Sequence, residues 1–170
     1  MDRRIYIVAI VLAVVTSVAF CSVSSAETKK CSGTSIRLAV SQPGNMVIGD
    51  VPDHEMSSYS YTDVHTSNCA EWDGAVHMGQ GFSDSIAGTG THQGYYADIA
   101  KDGTRGFGNY SGKHEMTVKE DESWETTFKG TWEFKGGSGV FAGVKGRGTY
   151  RGRTTAEGTT YEWEGEVEVR

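Results

Sequence analysis

The feature that most constrains the fold of this chain is a stretch that combines glycine with large aromatic residues. Residues 130–150 read GTWEFKGGSGVFAGVKGRGTY and hold seven glycines together with Trp132, Phe134, Phe141 and Tyr150. The glycines of residues 136–139 are typical of a hairpin connection that needs positive φ angles. The stretch therefore predicts two strands joined by a tight turn.

The glycines after this turn predict a strongly curved sheet. Gly146, Gly148 and Gly152 fall on one face of the second strand. The missing side chains let a sheet bend sharply, and aromatic rings from facing strands can fill the space. Tight curvature with an aromatic lining on one side favours a small closed barrel over a flat sandwich, and closure removes exposed strand edges.

The remainder of the chain after residue 26 alternates with a period of two residues rather than 3.6. In GTTYEWEGEVEVR, Tyr161, Trp163 and Val167 share one face and the glutamates between them share the other. We expect the aromatic face to point inward, because burying a ladder of carboxylates costs more than burying the rings gains. In VHMGQGF the alternation separates His77, Gly79 and Gly81 from a second face, which carries Val76, Met78, Gln80 and Phe82.

About eight such strands, separated by turns roughly every 8–15 residues, predict the fold class. We expect an all-β chain that forms a closed antiparallel barrel of about eight strands. The near absence of proline after residue 26 is consistent with uninterrupted strand ladders.

The first 26 residues have the pattern of a secretory signal peptide. Arg3 and Arg4 precede an apolar run, and small residues at 24–26 offer a cleavage point. We therefore divide the chain into a signal peptide (1–26), an N-terminal extension (27–46) and a β-barrel domain (47–170), and expect a secreted or periplasmic protein. A retained membrane anchor is one alternative, although the apolar run is short for a membrane span. A lipoprotein modified at Cys21 is the other, although the preceding Phe20 is bulky where such sites usually have a small residue.

The charge of the chain excludes two classes of partner. The signal segment carries a net charge of +1, so removing it takes the −6 of the whole chain to −7. An acidic chain without a cluster of lysine or arginine is a poor match for nucleic acid and for anionic membrane surfaces. We expect no nucleic-acid partner, and no membrane association after the signal is removed.

Two cysteines remain outside the signal segment, Cys31 and Cys69. An even number in an exported chain favours one disulfide between them. Two unpaired thiols are the alternative. The sequence has no Cys-x-x-Cys motif, so neither thioredoxin-like redox chemistry nor a cysteine-based zinc site is indicated.

The glycine-rich hairpin resembles one in a known superfamily. The sequence GTWEFKGGSGVFAGVKGRGTYRG is similar to the hairpin near the C-terminus of allene oxide cyclase-like barrels and of dirigent proteins, where a G-G-[ST]-G-x-[FY] turn precedes a second strand with regular glycines. VPDHE, GYYADIAKDGTRGF and YEWEGEVEV also look like segments of bacterial secreted members, so the likeness covers residues 47–169.

The resemblance implies an eight-stranded, calycin-like antiparallel barrel that often forms homo-oligomers. Members of these families cyclise a reactive epoxide or orient phenoxy radicals without a bound cofactor. The resemblance therefore implies a small apolar or phenolic ligand, possible cyclase or isomerase activity, and no cofactor. It assigns no catalytic residue, because no catalytic residue of either family is matched to a position here, and a shared fold does not establish a shared function.

Two neighbouring residues are candidates for acid–base catalysis. His54 and Glu55 lie at a predicted strand start, and an imidazole beside a carboxylate suits proton transfer near neutral pH. Arg105 and Tyr110 in RGFGNY are candidates for ligand binding deeper in the barrel. The alternative for each is an ordinary structural role, with His54 and Glu55 at a polar strand end and Arg105 in solvent or an ion pair.

Aromatic residues complete the predicted ligand site. We expect an internal cavity, because glycines opposite aromatic rings remove more volume than the rings restore. Trp124, Trp132 and Trp163 are predicted to line it.

Two other functions remain open from the sequence. One is a structural or stress-related secreted barrel with a fully packed interior. The other is a periplasmic metal-binding protein that uses some of the five histidines; these form no compact metal motif, so we assign no metal ligand. An internal cavity would favour ligand binding, a filled core the structural role, and converging imidazoles the metal-binding role.

Overall fold

A computed structural model describes residues 27–169, and the predicted signal peptide lies outside this range. The described chain is almost entirely β-structure. A 3-10 turn at Gly139–Phe141 is the only helical element in this range. The described residues contain no helix that is long and apolar enough to cross a bilayer. The strands are β1 (Glu27–Val47), β2 (His54–Ser67), β3 (Val76–Ile86), β4 (Thr89–Ile99), β5 (Arg105–Val118), β6 (Trp124–Gly137), β7 (Lys145–Thr155) and β8 (Gly158–Val169).

The eight strands form a closed antiparallel ring. Each strand pairs with the next in sequence, and β1 also pairs with β8, which closes the barrel. The prediction of an all-β fold with about eight antiparallel strands is confirmed at this level.

The ring includes residues that the sequence analysis placed outside the domain. Residues 27–46, expected as an N-terminal extension, form nearly all of β1 and pair with both β2 and β8. Their role was hidden because the inward side chains Ser35 and Arg37 are polar, whereas Ile36 and Leu38 are 57% and 63% exposed. A strand with apolar residues facing solvent lacks the hydrophobic pattern that marks a barrel strand.

The glycines of β7 have the role that the sequence predicted. A Cβ on Gly148 would clash with the carbonyl oxygen of Glu164 and would lie 2.6 Å from Cζ2 of Trp132. The glycines of the turn also behave as expected, since Gly136 and Gly139 have φ angles of 126° and 54°. The aromatic stretch therefore folds as a hairpin whose second strand makes room for rings.

The faces of β8 and β3 differ in what they bury. On β8, Trp163 and Val167 are buried and the intervening glutamates are exposed, as predicted. On β3 the side with His77 and the glycines points inward, and Met78 and Phe82 are 47% and 59% exposed. The inward glycines of β3 leave space for tyrosine rings from neighbouring strands.

One end of the ring is closed by a cluster of aromatic residues. Trp72 lies in the connection after β2. The centroid of its ring is 5.3 Å from that of Phe134 and 5.2 Å from that of Phe141. Val144 is buried beside them. This plug leaves the opposite end of the ring as the route to the interior.

The predicted disulfide is confirmed. Cys31 of β1 and Cys69, just after β2, are bonded to each other, and both are buried. The bond is consistent with an extracellular or periplasmic protein.

Candidate functional site

The interior of the ring holds a cavity of about 810 Å³. It begins beside the aromatic plug and extends to the end of the ring where Gln42, Asp53 and Met116 are exposed. Its wall is largely aromatic and includes Tyr59, Tyr61, Tyr96, Tyr110, Phe128, Trp132, Phe134, Tyr150, Tyr161 and Trp163. The interior is therefore neither fully packed nor purely apolar.

A row of polar side chains crosses four strands on the inner face. Arg37, Asp63, His77 and Asp98 are successive cross-strand partners on β1, β2, β3 and β4. Because inward residues recur at every second position, this register brings residues distant in sequence into contact.

The first two members of the row form a buried ion pair. Nε and Nη2 of Arg37 donate to the two carboxylate oxygens of Asp63 at 2.9 and 3.2 Å, and the Tyr161 hydroxyl donates to Oδ2 of Asp63 at 3.0 Å. Burial alone would lower the pKa of Arg37, but the hydrogen bond and charge of Asp63 raise it overall. The guanidinium carbon also lies 4.3 Å from the centroid of the Tyr61 ring.

The last two members of the row meet a second histidine beside the plug. Nδ1 of His77 lies 2.6 Å from Oδ1 of Asp98, and Nε2 of His65 lies 3.5 Å from the same oxygen. Trp72 donates its indole N–H to Oδ2 of Asp98 at 2.8 Å. We call His65, His77 and Asp98 the inner cluster; all three are buried and line the cavity.

Each imidazole of the inner cluster has a hydroxyl at its other nitrogen. Oγ of Ser35 lies 2.5 Å from Nδ1 of His65, and the Tyr61 hydroxyl lies 3.2 Å from Nε2 of His77. Burial lowers the pKa of His65. Burial alone would raise the pKa of Asp98, but the two neighbouring imidazoles lower it overall, so its carboxylate is ionised.

Midway along the cavity, hydroxyl groups pair across the interior. Tyr110 donates to the Tyr59 hydroxyl at 3.1 Å, and the Tyr150 hydroxyl lies 2.6 Å from Nε2 of His92. Burial raises the pKa of the Tyr110 and Tyr150 hydroxyls. Burial and the charge of His114 lower the pKa of His92 to about 4. This part of the wall is therefore neutral near pH 7 and rich in hydrogen-bonding groups.

Three of the five predicted ligand-binding residues line the cavity. Tyr110, Trp132 and Trp163 are part of its wall. Trp163 is 8% exposed, and its indole N–H has no hydrogen-bond partner within the described chain. A buried donor of this kind is normally satisfied by water or by a ligand.

The other two predicted ligand-binding residues lie away from the cavity. Arg105 is exposed at the start of β5, on the outward face near the plug. Trp124 begins β6 at the opposite end, is 40% exposed and does not contribute to the cavity wall. Both positions were assigned from residue type, and each lies at a strand end where alternation does not fix burial.

The predicted catalytic pair is separated by the strand itself. Glu55 points to the mouth of the cavity, where Nδ2 of Asn45 donates to it at 3.1 Å. His54 is not part of the wall and lies between Asp50 and Asp84, at 2.5 and 2.8 Å, and its hydrogen bond to Asp50 raises its pKa. Consecutive residues of a strand point to opposite faces, so the two cannot act together in the cavity.

The sequence analysis missed the inner cluster and the Arg37–Asp63 pair. A signal was present on β2, where Tyr59, Tyr61, Asp63 and His65 occupy alternate positions. Titratable residues in phase with tyrosines that need burial indicate a polar interior.

The arrangement can enclose an organic molecule among aromatic rings and offer it neutral hydroxyl groups, a buried ion pair and a carboxylate between two imidazoles.

Comparison with known proteins finds no matching family model and no curated protein that matches this chain.

Proposed function

We propose that this protein binds a small apolar or phenolic molecule inside its ring of strands. The observation that carries the proposal is the cavity of about 810 Å³, whose wall combines aromatic rings with a few polar groups. Ligand sites have volumes of roughly 300–1,000 Å³ and the same mixture of apolar surface and convergent polar groups. A structural role with a packed interior does not require such a cavity.

The chemistry of the wall favours an aromatic ligand with a hydroxyl group. Edge-to-face and offset contacts with tyrosine and tryptophan rings stabilise an aromatic guest. The neutral hydroxyls of Tyr59 and Tyr110 can exchange hydrogen bonds with a phenol, and the unpaired N–H of Trp163 is a further donor. Rearrangement of the bound molecule would use groups of the cavity wall rather than His54, which faces outward.

We also propose that the chain is an exported member of the allene oxide cyclase-like and dirigent-like superfamily. Its closed eight-stranded ring and the glycine hairpin with positive φ at Gly136 and Gly139 support this assignment. The Cys31–Cys69 disulfide supports the secreted or periplasmic location that the predicted signal peptide implies.

The proposed homo-oligomer has a candidate surface on the outside of β3, β4 and β5. Phe82, Tyr95 and Phe107 are 59%, 75% and 52% exposed there, next to Met78. Exposed apolar patches of this kind often mark interfaces. Sedimentation of the protein without residues 1–26 would test this: a monomer at all accessible concentrations would contradict it.

Ligand binding is tested with the fluorescent probe 1-anilinonaphthalene-8-sulfonate, in the presence of a chelator to exclude metal effects. We expect saturable binding of about one probe per chain. Ser83→Trp places a large ring in the cavity and should weaken binding at least about tenfold, which corresponds to roughly 1.4 kcal/mol.

Thr149→Trp is the control, because Thr149 lies on the exposed outer face of β7, away from the apolar outer surface of β3, β4 and β5. It should bind the probe as the unmodified protein does. Absence of saturable binding, or equal weakening by both substitutions, would contradict the proposal.

A further inference from the structure

The inner cluster brings three possible metal ligands to one point. His65, His77 and Asp98 come from β2, β3 and β4, and one ligand atom from each lies within 4.8 Å of the others. Two imidazoles and one carboxylate form a common donor set for zinc and other divalent transition metals. No other group of three such residues comes together in the chain from residue 27 to 169.

The inner ring nitrogens and Oδ1 of Asp98 can hold either a proton or a cation between them. A carboxylate only accepts hydrogen bonds, so a ring nitrogen facing Oδ1 of Asp98 must carry a proton or share a cation with it. In the metal-free protein a proton lies between Nδ1 of His77 and Oδ1 of Asp98. When a cation replaces it, His65 can donate from Nδ1 to Ser35 and His77 from Nε2 to Tyr61, so that both inner nitrogens present lone pairs to the ion. Outer hydrogen bonds of this kind orient metal-binding histidines in proteins.

We propose that His65, His77 and Asp98 bind one divalent transition-metal ion, with Zn²⁺ the best chemical match. Bonds of about 2.0–2.1 Å in a tetrahedral arrangement separate ligand atoms by about 3.3 Å. Nε2 of His65 and Oδ1 of Asp98 are 3.5 Å apart, close to that spacing. Nδ1 of His77 and the same oxygen are 2.6 Å apart and would separate by about 0.7 Å when the ion displaces the proton between them.

The surroundings of the cluster fit a site with one open position. Trp72 occupies Oδ2 of Asp98, which leaves Oδ1 for the ion. All three ligands line the cavity, so a fourth position can face its interior and accept water or an organic ligand. Three protein ligands with an open position are typical of zinc sites that act on bound molecules.

The test is titration of the chelator-treated protein with Co²⁺, followed by its visible absorption, and displacement of Co²⁺ by Zn²⁺. We expect one Co²⁺ per chain with the intense absorption of a tetrahedral site. His65→Ala and His77→Ala should each weaken binding by about 100-fold or more, since even residues that only orient ligands contribute 10–100-fold. His54→Ala, which alters a histidine outside the cavity, should bind Co²⁺ normally.

Failure of the folded, unmodified protein to bind Co²⁺ or Zn²⁺ would overturn the proposal, as would unchanged binding by both cluster variants. If the variants do not fold, X-ray absorption at the zinc edge of the unmodified protein decides. Two imidazole ligands would support the site, and any other number would overturn it. The probe-binding experiment is done with chelator, so the two proposals can fail separately.

Discussion

Two parts of the ring differ in the residues that their inner and outer faces carry. We call β2, β3 and β4 the polar half and β6, β7 and β8 the aromatic half. On β2, β3 and β4 the inner face carries Asp63, His65, His77 and Asp98, whereas the outer face exposes apolar residues such as Phe82. On β6, β7 and β8 the inner face carries aromatic and glycine residues, and the outer face is charged. Its exposed residues include Glu133, Lys135, Arg147, Arg151, Glu162, Glu164, Glu166 and Glu168.

The difference shows that the same period-two pattern can be stabilised inside a ring in two ways. The polar half requires that every buried charge and hydroxyl has a partner, because an unpaired buried charge is strongly destabilising. The aromatic half requires that glycines lie opposite the rings, because extra volume causes strain. Loss of a buried charge should therefore be most destabilising in the polar half, whereas the effect of added volume can be tested in the aromatic half without disturbing a buried charge.

The largest expected effect is the loss of a buried carboxylate from the polar half. Asp63→Ala removes the partner of Arg37 and of the Tyr161 hydroxyl. Breaking a buried pair from one side costs about 3–5 kcal/mol in free energy of unfolding. Urea denaturation followed by circular dichroism measures this loss.

The matched control for Asp63→Ala is an ion pair on the outside of the aromatic half. Arg151 and Glu162 are 3.0 Å apart and exposed, so Glu162→Ala should cost less than about 1 kcal/mol. Equal losses in the two variants would contradict the distinction between the halves.

A smaller but substantial effect is expected from added volume in the aromatic half. Gly148→Leu places a side chain where even a Cβ would clash with the Glu164 carbonyl and Trp132. It should lower the free energy of unfolding by about 1–3 kcal/mol. Thr149→Leu puts the same side chain on the exposed face of the same strand and should change stability by less than about 0.5 kcal/mol. Similar melting temperatures for both variants would show that β7 does not require its inward glycines.

The next effect concerns a hydrogen bond that joins the halves, between His92 of β4 and Tyr150 of β7. The pKa of His92 is about 4 in the folded protein, below the ordinary value of about 6.5 for an unfolded chain. The unfolded chain therefore binds more protons in this range, and stability falls as the pH decreases from about 6.5 to 4.

Because the ring is partly solvated, the His92 contribution should be on the order of 1 kcal/mol. His92→Gln removes the titrating ring and should reduce the loss of stability over this pH range. His114, whose ring lies 5.7 Å away and whose pKa burial also lowers, accounts for part of the remaining slope. Denaturation at several pH values measures both slopes, and parallel curves for the two proteins would contradict the assignment.

The smallest effect is expected on the outer face of the polar half. Tyr95 is 75% exposed, so Tyr95→Ser should change the free energy of unfolding of the monomer by less than about 0.5 kcal/mol. Thermal unfolding at low protein concentration measures this. A loss of several kcal/mol would mean that this face is covered by another surface.

The sequence was sufficient to predict what depends on local pattern. The all-β ring, the turn at residues 136–139, the faces of β8 and the cysteine pairing all follow from neighbouring residues or from simple pairing rules. The inner cluster depends instead on the register of β2, β3 and β4, which brings His65, His77 and Asp98 together from separate strands.

The alternation also does not show which face of a strand points inward when neither face is charged throughout. On β3, hydrophobicity alone favours Met78 and Phe82 for the interior. The glycines decide otherwise, because a Cβ on Gly79 would clash with the ring of Tyr61. Steric fit between strands, rather than the apolar pattern of one strand, sets this face.

The closure of the ring by β1 and β8 has a consequence for the order of folding. The other seven strand pairs join neighbours in sequence and can form while the chain is still incomplete, but β1 meets β8 only after the last strand exists. Until then β1 is an edge strand, open to pairing with other chains. The bond from Cys31 to Cys69 needs only the first two strands and the start of the next connection, so it can hold β1 against β2 during that interval. The disulfide therefore protects the unfinished chain from aggregation through β1.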